Sequence, residues 1–304
     1  MSNLILLFVC LIIGIVLKKS KIIPDNFHTS LNAFVINISL SAFSLYYISK
    51  IELNSSVIYP VLVVWIGIFA AILFFAGLGK IFGWKSSLIG ALIMCAGFGN
   101  TSFVGIPLIQ AMYGEEGLKT VMLVDQPGFV ALSTVGILVA NFYSGSKDSL
   151  LKHLSKILKF PPFIAFVIAL LLNIFSIEIP KDFDEVLMKL GATTVPLALV
   201  SVGSQMQWKK IEKKEGFHLF IGLLFKLVFL PLLILVIYKY IFHQSGDVID
   251  ICILEAAMAP MITAAIIASA HDLEPKFCNL MVAVGIPLSI LTVGIWHLIL
   301  SSYL

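Results

Sequence analysis

The sequence predicts an all-α polytopic membrane protein. Ten transmembrane helices form two inverted five-helix repeats, with helices 4 and 9 broken and crossing. Three observations lead there. Hydrophobic residues make up 60% of the chain and charged residues only 12%, whereas a soluble domain carries about 25% charged residues. Mean hydropathy is +1.05, and apolar runs long enough to cross the hydrocarbon core recur along the whole length. Two of those runs, in corresponding places of the two halves, are interrupted in the middle by glycine or proline beside polar residues.

The apolar segments are read in order as Leu4–Leu17, Leu31–Ile48, Val57–Gly79, Ser87–Tyr113 and Thr120–Tyr143, then Phe163–Ser176, Val186–Met206, Phe217–Phe242, Val248–Ala270 and Phe277–Ser301. The first has no basic stretch before it and is followed by Lys18, Lys19 and Lys21 instead of a small-residue cleavage site, so it reads as a retained span. Every basic residue other than histidine is a lysine. Fourteen lysines fall in one alternate set of loops and five in the other, with Lys226 inside the eighth segment. The positive-inside rule then places both termini outside and the central loop in the cytoplasm. Residues 1–143 form the first repeat, 144–160 a short basic linker and 161–304 the second repeat. In the linker, Leu150, Leu151, Leu154, Ile157 and Leu158 oppose Lys152, Lys156 and Lys159, as expected either for an interfacial helix on anionic lipid or for a solvated basic connector.

The repeat rests on two weak matches with similar offsets. Pro24-Asp-Asn-Phe27 is echoed by Pro180-Lys-Asp-Phe183, 156 residues on, and Thr134-Val-Gly-Ile137 by Thr292-Val-Gly-Ile295, 158 residues on. Five segments per half is an odd number, so the halves run in opposite directions through the bilayer. In the fourth segment Gly97, Gly99, Gly105 and Pro107 surround Asn100, Thr101 and Ser102. Proline has no N–H to donate and glycine leaves the helical region cheaply. In lipid, an unwound backbone is tolerated only where protein buries it or water reaches it. The ninth segment carries Pro260 with Thr263 just beyond. Asn100, Thr101, Ser102, Pro107, Pro260 and Thr263 are the candidate substrate-binding residues. The competing reading is a pair of glycine- and proline-kinked packing helices.

Charged residues at membrane depth are expensive and usually functional. Asp125 in the fifth segment, Lys226 in the eighth and Glu255 in the ninth are the candidates for coupling or charge pairing. Glu255 follows Asp250 closely enough for a near-surface position. Partners proposed for Lys226 are Asp125, Glu255, the Leu227 carbonyl released by Pro231, and a substrate carboxylate. Asp125-Gln-Pro-Gly128 reads as a second kink, and Thr193, Thr194 and Pro196 bend the seventh segment. Cys10, Cys95, Cys252 and Cys278 lie in or beside apolar segments without metal-ligand spacing and read as buried thiols. No cofactor or metal site is expected, and no catalytic residue. There is no nucleotide-binding loop and no HExxH, and Asp125 is the one deep aspartate where a membrane aspartyl protease needs two. A net charge of +3 does not point to nucleic acid.

Asn100-Thr-Ser-Phe-Val-Gly-Ile-Pro107 resembles the fourth-span signature of the auxin efflux carrier family, which includes bacterial malate and malonate permeases. Ala256-Ala-Met-Ala-Pro260 is similar to that family's ninth-span element, with one alanine inserted before the proline. Lys226 with Pro231, and Asp125, also look like family features. The resemblance covers the whole chain, and the short central loop is like that of bacterial members. It implies a secondary transporter or permease for a small organic anion, a mono- or dicarboxylate, working by alternating access in the lipid bilayer. The resemblance also implies a fold like that of sodium/proton antiporters and bile-acid symporters, with segments 1, 2, 6 and 7 as the scaffold and 3–5 with 8–10 as the moving unit. A sodium- or proton-coupled carrier of another substrate class is the alternative. A sensory membrane domain is the more distant one. Proton or sodium coupling and a homodimer are compatible with this reading.

Overall fold

The structure is a computed structural model describing residues 2–20, 22–24, 26–51, 55–145, 159–205 and 213–303. Most of the central linker, and the question of an interfacial helix there, lies outside the described residues. Among these residues the chain is helical, and its only extended pairing is one isolated bridge.

Helix α1 spans Ser2–Lys19, α2 Phe27–Ile48 and α3 Ile58–Phe82. Helix α4 runs over Ser86–Gly97. Hydrogen bonding is then continuous over Thr101–Ser144, yet this stretch cannot be one rod. Thr101 bonds to Asp125, 24 residues on, which in a straight helix would stand about 36 Å away. The chain doubles back at Gly114, whose φ of 67° and ψ of −155° leave the helical region in a conformation glycine adopts at no steric cost. We label the two arms α5 (101–113) and α6 (115–144). Then follow α7 (Pro161–Ile174), α8 (Lys181–Gln205), α9 (Gly216–Ile241), α10 (Asp247–Ala256), α11 (Ile262–Ala270) and α12 (Pro275–Tyr303). Among the described residues six stretches are long and apolar enough to cross a membrane, with α4 and α7 as shorter apolar helices. Pro127 sits inside α6 without breaking it. A π-helical turn over Leu132–Gly136 follows it. Regular helix in α8 is interrupted at Thr193, whose φ of −72° and ψ of −16° stay in the helical region.

The helices sort into two groups, which meet where α1, α2, α7 and α8 touch the α5–α6 stretch. Helix α1 lies on α8, and α2 on α7 and α8. The α1–α8 crossing is backbone on backbone: a Cβ at Gly14 would stand 2.2 Å from the Val200 carbonyl oxygen, and one at Gly203 2.3 Å from that of Leu11. Small residues give membrane helices this close approach, where dispersion replaces the missing hydrophobic drive. Ser39 and Thr193 share a 2.7 Å hydroxyl contact across α2 and α8, and Ser201 donates to Asn32. In the second group, Phe74 and Phe75 of α3 meet Phe225 and Phe229 of α9. Large apolar side chains remain exposed around the outside, among them Phe8 and Ile12 on α1, Leu73 on α3 and Phe220 on α9. Such an apolar perimeter suits lipid.

The polar contacts at the helix ends sort into two sets. At one end Lys50 pairs with Asp184, Asn173 donates to the carbonyls of Ile48, Ser49 and Ile51, Tyr47 donates to Glu115, and Lys239 pairs with Asp250. At the other end Ser86 donates to the Tyr143 carbonyl and Ser87 to Glu274. Each contact joins loops that the lysine distribution assigns to the same side.

Candidate functional site

The interruption between α4 and α5 is three residues long, and so close to the α10–α11 interruption that the two pair. Phe98 is extended, with φ −107° and ψ 131°. The Asn100 N–H donates to the Ala259 carbonyl at 2.8 Å and the Met261 N–H to the Phe98 carbonyl at 3.1 Å, framing an antiparallel bridge of Gly99 with Pro260. In that register Gly99 and Pro260 are the pair that exchanges no hydrogen bond. The missing proline N–H therefore leaves no gap in the pairing. The Pro260 ring packs over Gly285 of α12, where an added Cβ would come within 2.4 Å of it.

The break in the fourth segment lies at 98–100, inside the Gly97–Pro107 stretch singled out by the sequence. Pro107 stands near the start of the regular part of α5, just past a π-helical turn over Thr101–Gly105. Gly99 leaves the helical region there without a positive φ. What it supplies is space, since a Cβ at Gly99 would lie 3.1 Å from Lys226 Nζ and 3.4 Å from the Glu255 carbonyl oxygen.

Asn100, 3% exposed, caps α5: its Oδ1 accepts the Phe103 N–H at 3.2 Å. Its Nδ2 is buried without a hydrogen-bond partner. Thr101 donates to Asp125 Oδ1 at 2.5 Å and Ser102 donates to the same oxygen, while Gln126 Nε2 reaches Oδ2 at 3.2 Å. Asp125, 1% exposed, thus has three donors. It also lies at the N-terminal turn of α5, where the helix dipole favours a negative charge. It binds α6 to α5 and forms no ion pair with Lys226. The hydroxyl hydrogens of Thr101 and Ser102 are taken by Asp125, so toward a ligand these two residues present lone pairs only.

Lys226 and Glu255 meet in a cleft lined also by Val63, Gly67, Thr101, Gly128 and Met261. Each is 2% exposed. Glu255 is therefore central, not near a surface as its distance from Asp250 suggested. Its two carboxylate oxygens have no hydrogen-bond partner. They rest on Gly105, where a Cβ would stand 2.6 and 2.7 Å from them. Lys226 and Glu255 act on each other electrostatically. Yet none of the ion pairs within 4.0 Å among the described residues includes Lys226. The Leu227 carbonyl accepts the indole N–H of Trp296 at 3.0 Å. Thr263, half-buried at the start of α11, does not line this cleft. Sequence reasoning missed Gln126, Trp296 and the α3 wall of Val63, Val64 and Gly67. Gln126 had a signal, as a second polar residue beside Asp125, but the α3 wall reads as ordinary apolar sequence. Among the described residues no cluster could hold a metal ion, and the four cysteines are buried free thiols.

An apolar-rimmed helical bundle, with charged and polar groups gathered where two interrupted helices pair, is a polytopic membrane protein built around an intramembrane site. The chain belongs to the membrane transport protein family, the auxin efflux carriers, whose profile matches residues 1–297. It is similar along 99% of its length to an uncharacterized transporter of Methanocaldococcus jannaschii, 27% identical and covered over 99% of its own length. An uncharacterized transporter of Methanothermobacter thermautotrophicus is 23% identical, with 96% of this chain and 95% of that protein covered.

Proposed function

We propose that this transporter is a secondary active carrier for a small organic anion, a malonate- or malate-like carboxylate, moved by alternating access. The observation that carries the reading is the pair of unmatched donors at the crossing. Asn100 Nδ2 is buried without an acceptor, and Lys226 carries its ammonium into the cleft without an ion pair within 4.0 Å. Buried polar groups are almost always satisfied, and a carboxylate accepts up to four hydrogen bonds. The N-terminus of α11 adds backbone N–H groups with no side-chain cap, which favour an anion.

In this reading the chain crosses the bilayer ten times, as α1, α2, α3, α4–α5, α6, α7, α8, α9, α10–α11 and α12. The packing supports an inverted repeat: first on seventh segment is matched by sixth on second, and the two interrupted helices pair with each other. Helices α1, α2, α7 and α8 are the fixed frame. An apolar gap bounded by Leu7, Leu11 and Leu199 on that frame and by Phe103, Leu108 and Ile290 on the rest offers a surface with few polar bonds to break on sliding. Uptake of radiolabelled carboxylates into proteoliposomes tests the function. Saturable malonate or malate uptake, lost in Asn100→Ala, is expected; transport of neutral or cationic solutes only would refute it.

A further inference from the structure

We propose that Glu255 is the proton-binding group of this carrier, and that a proton and the anion enter the cleft together. This rests on the anion-carrier reading above and adds the coupling ion and its residue. The geometry that points to it is an imbalance between two neighbouring carboxyl groups. Asp125 accepts from Thr101, Ser102 and Gln126, which offset part of the cost of burying its charge. Glu255 is equally buried and has no donor on either oxygen. A carboxylate taken from water without hydrogen bonds is among the costliest groups to bury, so the arrangement suits the neutral acid.

The charged groups acting on Glu255 are Asp125 from α6 and Lys226 from α9. Cys252, one turn earlier on α10, is the other titratable neighbour. Helix α3 brings only Val63, Val64 and Gly67 to the cleft, and α5 brings Thr101 there, with Gly105 under the carboxyl. With Glu255 protonated, Lys226 and Asp125 cancel and the cleft is neutral toward an incoming anion. With Glu255 ionised, the cleft carries a net negative charge before the anion arrives, and Lys226 is drawn to its own neighbour instead of to the substrate. Like charges in a low-dielectric site repel strongly, so the two carboxylates and the anion are not held together. Protonation of the Glu255 carboxylate by water on one side thus accompanies binding. Release of anion and proton on the other side completes a symport cycle.

The test uses the full-length protein, purified and reconstituted, with malonate as probe between pH 7 and 9, where malonate itself stays fully ionised. Binding linked to one proton weakens by up to tenfold per pH unit, and malonate binding takes up protons from a weakly buffered solution. An inward-directed proton gradient drives malonate accumulation by the wild type. Glu255→Gln, a neutral isostere, is expected to bind malonate with affinity independent of pH and to exchange it across the membrane without accumulating it. Wild-type affinity that is flat over this range would overturn the proposal. So would a pH slope that persists in Glu255→Gln, which would move the titration to Lys226. Should that variant fail to fold, Lys226→Arg, whose guanidinium stays charged throughout, takes its place: proton uptake with malonate that persists in it leaves the titration with Glu255, and uptake that is lost in it, or absent from the wild type, refutes the proposal. Binding of no carboxylate by the wild type defeats the anion-carrier reading itself, a result distinct from pH-independent binding.

Discussion

Gly105→Ala is a substitution that separates stability from function. Gly105 has φ −64° and ψ −55°, a conformation alanine adopts freely, so the backbone gains about 0.4–1 kcal/mol through the less flexible unfolded chain. The new Cβ would meet Glu255 Oε1 at 2.6 Å. Ordinary contact begins at 3.4 Å, so the carboxyl must retreat by the difference of 0.8 Å. That group is the far end of a flexible side chain, and turning it off its rotamer costs about 0.5–1.5 kcal/mol. The two terms nearly cancel, giving a net change within about 1 kcal/mol. Gly203→Ala is the contrast. Its Cβ would lie 2.3 Å from the Leu11 carbonyl oxygen, part of the backbone of α1, which yields only if α1 and α8 separate. Overpacking of this kind costs about 1–3 kcal/mol or more. Thermal unfolding of both purified variants, with malonate uptake in proteoliposomes, makes the comparison. Gly105→Ala is expected to unfold within a few degrees of wild type while losing at least tenfold in uptake, and Gly203→Ala to unfold clearly lower. A Gly105→Ala protein that transports like wild type, or one that unfolds as low as Gly203→Ala, would refute the placement of Glu255 on Gly105 as a functional contact.

Asn100→Ala removes the cap of α5, worth about 1 kcal/mol, and the unmatched Nδ2. The expected result is folded, membrane-inserted protein with at least tenfold weaker carboxylate binding; unchanged binding by calorimetry would make Asn100 only a cap. Lys226→Met should leave unfolding temperature near wild type, because no ion pair within 4.0 Å is lost. Carboxylate affinity should fall tenfold or more, since a charge-assisted hydrogen bond is worth about 1.5–3 kcal/mol. Lowered stability with binding retained would instead make Lys226 a brace. For topology, Lys85→Cys and Lys181→Cys in a background without other cysteines should react with an impermeant thiol reagent from opposite sides of the membrane, Lys181→Cys from outside intact cells. Labelling of both from outside would contradict the lysine-based orientation.

The sequence by itself determined the class of the protein, its apolar segments, and the two places where helices fail. These follow from local quantities: hydropathy over a window, a proline without an N–H, a charge that costs energy in hydrocarbon. It also singled out Asp125, Lys226 and Glu255, because intramembrane charges stand out in any apolar run. The tertiary structure decided what each of them meets. Asp125 became the acceptor for Thr101 and Ser102 only because Gly114 turns α5 back along α6. Glu255, which its distance from Asp250 left open to a near-surface position, came to the centre because α10 ends at a crossing set by hydrogen bonds to residues about 160 positions earlier. Gly99 proved to be a matter of space beside Lys226, and Pro260 fits because it falls at the unbonded position of that crossing. Local chemistry is written residue by residue in the chain. Which donor meets which acceptor depends on contacts between distant segments, and those are fixed only when the helices pack.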